Sequence, residues 1–198
     1  MNESRKAKAD AAADGIASVA IDNSTEERLA AAVAKWGTAE VVQRAVALVG
    51  GFNSGEEFLL VVGGRHAQGI LGGAPPLYWP ELWGTRALLY VWDDSAAPAV
   101  TAALTNQAWR VREMATRVIA TRALPVAEAV AELLRDEVAR VRASAARALG
   151  AVGDASAVEA LRPLLKDPEI DVRRGAQQGI DALRSRHPPG DAPGNALA

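Results

Sequence analysis

Three arginines, Arg86, Arg117 and Arg147, stand 31 and 30 residues apart, and the next step of 31 lands on Gln178. Guanidinium groups repeated at one interval would form a row across neighbouring helices, a candidate binding row. The first of them lies in "LYWPELWGTRALLYVW" (77–92), which holds five of the chain's nine aromatic residues in sixteen positions. Trp83 and Tyr90 beside Arg86 have the composition of an interface hot spot. The same rings can instead cover a first repeat against the helices before it, and arginine, a good helix former, is common on solvated faces. The sequence leaves both readings open, and the inside of a fold suits the aromatic stretch better.

Other residues with chemical potential are few. Cysteine is absent, which removes disulfides, thiolate metal sites and cysteine nucleophiles. The two histidines are His66 and His187, and neither stands in a Gly-x-Ser-x-Gly context or among metal-ligand spacings, so no metal or cofactor is expected. The glycine-rich "VVGGRHAQGILGGAPP" (61–76) lacks the Gly-Lys-Ser/Thr ending of a phosphate loop and reads as a helix softened at its end. Asp93-Asp94 precedes "SAAPAV", and the Asp154 of "VGDASAVEAL" stands in the same relation to the helix that follows. Both read as caps.

These residues need helices to position them, and almost the whole chain reads as helix. "STEERLAAAVAKW" opens with Ser24 and Glu27 at capping-box spacing; "TAEVVQRAVALV" (38–49) ends at Gly50-Gly51; "SGEEFLLVV" repeats the Ser-x-x-Glu spacing at Ser54 and Glu57. From Val111, Val-Arg pairs recur after 30 and then 31 residues, and one step back from Val111 lands on Pro80. With those starts as position 0, position 4 holds Gly84, Ala115, Ala145 and Ala176, and position 8 holds Leu88, Ile119, Leu149 and Ile180. Positions 0, 4, 7 and 8 share one face at 100° per residue, and 2, 3, 6, 9 and 10 lie around the other side. A period near 30 built from helices is the signature of a solenoid. Four segments follow: an N-terminal arm (1–23) expected to be mobile, a helical cap (24–78), repeats starting near 80, 111, 141 and 172 (79–186), and a Pro/Gly-rich tail (187–198) expected to be disordered.

Composition narrows the partners. The net charge is −2, with 8 Lys+Arg against 12 Asp+Glu in residues 1–100 and 14 against 11 in 101–186, so a general pull toward nucleic acid or membrane is not expected. The N-terminus lacks the apolar core of a secretory signal and no run of 18 apolar residues occurs, which makes the cytoplasm the expected location.

"VRASAARALGAVGDASAVEALRPLLKD" resembles the HEAT-like repeats first associated with phycobilin lyases, over roughly residues 80–185. The resemblance implies an all-α protein, a short right-handed α-solenoid of HEAT-like helical hairpins with an N-terminal helical cap. It also implies a structural ladder of aspartates ending the first helix of a repeat and arginines starting the second. The matching residues are Asp136 and Arg142, Asp167 and Arg173, and Asn106 and Arg112, with Asn where the family prefers Asp. The second helices are implied to line a concave surface, which would carry Arg86, Arg117, Arg147, Trp83, Tyr90 and Met114 as partner-binding residues. The function so implied is a non-enzymatic module that binds a protein partner. Two alternatives stand beside it: nucleic-acid binding of the alkylpurine DNA glycosylase type, disfavoured by the charge, and a bilin-lyase-like small-molecule enzyme. The His-Glu pairs of the HEAT-like di-iron deoxyhypusine hydroxylases are missing.

Overall fold

A computed structural model describes residues 19–187, and the regular elements among them are all helical. The expected arm and tail fall largely outside the described residues. The chain divides into two compact units at Ala103/Leu104.

The N-terminal unit begins with α1 (Thr25–Trp36). Its capping box closes as the sequence predicts: Glu27 N–H donates to Ser24 Oγ at 3.2 Å and Ser24 N–H to Glu27 Oε2 at 2.8 Å. Gly37, at φ +83°, turns the chain directly into α2 (Thr38–Val49). The second predicted capping box does not form. Gly55, at φ +89°, separates Ser54 from α3 (Glu56–Gly63), so Ser54 stands one residue too early to cap it. The Ser54 hydroxyl donates instead to the Arg44 carbonyl at 2.8 Å, and Glu57 pairs with Lys35. Gly64 breaks the glycine-rich segment into α3 and α4 (Arg65–Leu71). Then come α5 (Trp79–Ala87), with Pro80 in its first turn, and α6 (Ala97–Ala102). Asp93 accepts a 3.0 Å bond from Ser95 N–H at the turn before α6, the capping work its position implies.

Leu29, Val41, Val42, Phe58, Val62 and Leu88 form the core of this unit. α5 lies so close to α2 that a Cβ on Gly84 would stand 2.7 Å from the Ala45 carbonyl oxygen. The Trp83 ring covers Gly63 just as closely; a Cβ there would stand 2.5 Å from it.

The C-terminal unit alternates short and long helices. α7 (Trp109–Arg122) is followed by α8 (Ala127–Glu132), which tightens into a 3-10 turn at Leu133–Arg135. α9 (Ala139–Val152) is followed by α10 (Ala157–Leu161), which runs into the 3-10 turn Arg162–Lys166, and α11 (Ile170–Arg186) closes the unit. α9 packs on α7 on one side and, more extensively, on α11 on the other. The small residues of the repeat explain that contact: a Cβ on Gly175 would stand 2.6 Å from the Ala143 carbonyl oxygen, and one on Gly179 would strike the Ala146 carbonyl. Position 0 (Val111, Val141, Val172), position 4 (Ala115, Ala145, Ala176) and position 8 (Ile119, Leu149, Ile180) are buried in every copy of this unit.

Candidate partner-binding face

Position 6 lies about 140° round the helix from position 1, at 100° per residue, and the two positions carry arginines of opposite character. Position 1 holds Arg112, Arg142 and Arg173. Arg112 grips Asp136 with both forks, Nε–Oδ2 at 2.7 Å and Nη2–Oδ1 at 2.9 Å, and Arg142 grips Asp167 the same way at 2.9 and 3.1 Å. Each carboxylate therefore answers the arginine one repeat earlier. Within its own repeat the arginine donates to backbone: Arg142 Nη1 to the Asp136 and Glu137 carbonyls, Arg112 Nη1 to those of Asn106 and Gln107, and Arg173 Nη1 to those of Asp167 and Pro168. Asn106, Asp136 and Asp167 also accept the backbone N–H two residues on, at 2.8–2.9 Å, so each turns the chain into the next long helix. That turn needs an oxygen and no charge, which is why Asn serves at 106. The Arg142 guanidinium, helped by the Glu169 N–H, holds the Asp167 carboxyl below its ordinary value of 3.8, and the bond to Asp136 raises Arg112.

Position 6 holds Arg117, Arg147 and Gln178, all exposed. Arg147 Nε donates to Gln178 Oε1 at 2.8 Å, which shows that position-6 side chains of adjacent helices lie within reach of each other. Among the described residues neither Arg117 nor Arg147 has a carboxylate within ion-pair distance. Between α7 and α9 runs a groove of about 390 Å³, lined by both arginines and by Glu113, Thr121, Ala120 and Ala148. Its floor is polar and satisfied: the Thr116 hydroxyl donates to the Glu113 carbonyl at 2.8 Å, and the Ser144 hydroxyl donates to Thr116 Oγ1 at 2.6 Å. At the N-terminal edge of the same helices, the Trp109 ring has the Arg110 guanidinium 4.3 Å from its centroid and that of Arg140 at 5.6 Å, and Arg140 reaches Glu113 at 3.6 Å.

The other expected partner-binding residues lie elsewhere. Arg86 belongs to the N-terminal unit, where it is half-buried and its Nη2 donates to the Val62 carbonyl at 2.8 Å; burial lowers its pKa, and its Nε is enclosed without a hydrogen-bond partner. Trp83 is 4% exposed and stacks on Trp79 at 6.0 Å, so it is core. The helical projection turned it outward because a projection knows one packing face, whereas α5 is packed by both α2 and α3. Tyr90 is exposed, on the rim of a separate groove between α1 and residues 89–92. Met114 is half-buried at position 3, the flank where Ser144 and Gly175 meet the neighbouring helix. Sequence reasoning passed over Arg28, which is buried and donates to the carbonyls of Val61, Ile21 and Asn23. Its place in the sequence, among the polar residues of an amphipathic helix, carries no sign of this. Among the described residues no group of three or more His, Asp or Glu could hold a metal ion, and no helix is long and apolar enough to cross a membrane.

Residues 96–181 match the family model described as HEAT repeats. A comparison with curated proteins finds no match. Among solved structures, the crystal structure of an engineered protein is similar, with a TM-score of 0.51 and 21% identity over 89% of this chain and 90% of that one, a likeness of fold. The all-helical α-solenoid architecture expected from the 30-residue period accords with both.

Proposed function

We propose that these HEAT repeats form a non-enzymatic interaction module in the cytoplasm, which binds a protein partner through the exposed face of α7, α9 and α11. HEAT repeats commonly mediate protein interaction. The observation that carries the reading to this face is the pair Arg117 and Arg147. They stand in register on adjacent helices and line one groove, with no ion pair to the described residues. The other recurring positions of the long helices are occupied by the fold itself, since the position-1 arginines hold the ladder and positions 0, 4 and 8 fill the core.

The test is positional. A photo-crosslinking residue at Thr121 or Ala151, on the long helices, is expected to yield covalent adducts with a protein of the native host. The same residue at Glu128 or Ala160, exposed on the short helices, is expected to yield none. Equal adducts at all four positions, or adducts only from the short helices, contradict the assignment.

A further inference from the structure

We infer that the groove between α7 and α9 takes an extended acidic segment of the partner, with two carboxylates seated on Arg117 and Arg147. The inference rests on the interaction-module reading above and names the chemistry recognised. Three features of the groove carry it. Among the described residues its two arginines have no carboxylate within ion-pair distance, whereas Arg140 faces Glu113, Arg174 faces Asp171, and Arg112 and Arg142 are consumed in the ladder. Ala120 and Ala148 line it with methyl groups alone, so no long apolar side chain fills the groove over the helix contact. Its floor hydroxyls already bond each other and backbone, so recognition must come from the rim, where the guanidinium forks stand.

Helices in contact lie about 8–10 Å apart, and a segment extended as a polyproline II helix rises about 3.1 Å per residue with three residues per turn. Carboxylates three residues apart on such a segment point the same way about 9 Å apart and therefore meet the two arginines together. Glu113 decides between acidic peptide and nucleic acid. It lines the same groove and faces Arg140, so its carboxylate opposes close-spaced phosphates more than two carboxylates held apart on the arginines, and its free oxygen is an acceptor for a backbone N–H of a peptide. Two charge pairs on an exposed surface are weak individually, so backbone contact along the groove adds to them and low salt strengthens them.

The experiment is a fluorescence anisotropy titration with a fluorescein-labelled peptide carrying two glutamates three positions apart in a Gly/Ser background. Its twin carries lysines at both sites. The acidic peptide is expected to bind the intact chain at low salt, and Arg117→Glu with Arg147→Glu to weaken it at least about tenfold. The lysine peptide is expected to reverse that preference and bind the variant, which a loss of folding could not produce. The inference is overturned if the acidic peptide fails to bind the folded chain, or binds both proteins equally. It is also overturned if duplex DNA binds in its place, with the steep salt dependence of many phosphate contacts. Protein adducts from Thr121 and Ala151 together with a silent acidic peptide would leave the interface standing and remove only its preference for acid. Loss of both would remove both readings.

Discussion

Arg142 and Arg147 sit five residues apart on one helix, yet one makes four hydrogen bonds to the fold and the other has a single neutral amide. The difference follows from where each side of α9 faces, and it separates a structural arginine from an available one. Arg142→Met leaves Asp167, whose side chain is 10% exposed, without its charge partner, and frees the carbonyls of Asp136 and Glu137. Breaking a fully buried pair costs about 3–5 kcal/mol; here both side chains keep some water, and a loss of about 2–4 kcal/mol is expected in denaturant unfolding. The pH dependence has a definite sign. Asp167 is held below 3.8 in the folded chain, so its contribution is complete above the unfolded carboxylate's pKa and is lost as pH falls through the lower folded value. The stability gap between wild type and Arg142→Met should therefore be constant near neutrality and narrow below about pH 4. A gap independent of pH down to the acid transition would show that the pair contributes nothing.

At the scale of the element, close backbone approach between long helices explains why small residues recur at fixed positions. Gly175 and Gly179 of α11 lie against the Ala143 and Ala146 carbonyls of α9, so an added methyl must push two backbones apart. Glycine ordinarily costs a helix about 1 kcal/mol relative to alanine. The effect of Gly→Ala is thus a measure of the crossing. Gly179→Ala should destabilise by about 1–3 kcal/mol through overpacking despite its better propensity. Gly69→Ala, in α4 with nothing within 4 Å of an added Cβ, should stabilise by about 0.5–1 kcal/mol. Thermal melts of the two variants shifting in the same direction would contradict the close crossing.

Across the whole molecule, the sequence reveals the period, and with the period the core. A repeat must bury the same positions in every copy, so Val141, Ala145 and Leu149 announce themselves by recurrence. The ladder residues are legible for the same reason, whereas their pairing across repeats is not: sequence distance suggests Asp136 with Arg142, and stacking gives Asp136 to Arg112. Where recurrence stops, so does legibility. Trp83 and Arg86 sit in a register that looks like the later repeats, but they are packed by helices outside the period, one as core and the other as a donor to the Val62 carbonyl. Ser54 carried a valid capping spacing that a single glycine at positive φ annulled.

If the long-helix face of the C-terminal unit is where the partner binds, the most direct measurement is the dissociation constant of the crosslinked partner, by calorimetry, against three proteins. These are the intact chain, Arg117→Glu with Arg147→Glu, and a control with Glu128→Lys on the short helix α8 and Arg162→Glu in the turn after α10. The face variant should bind at least about tenfold more weakly with an unchanged melting temperature, and the control should match the intact chain. Equal affinity for all three, or loss in the control alone, would place the partner elsewhere and leave the arginine row a solvated helix surface.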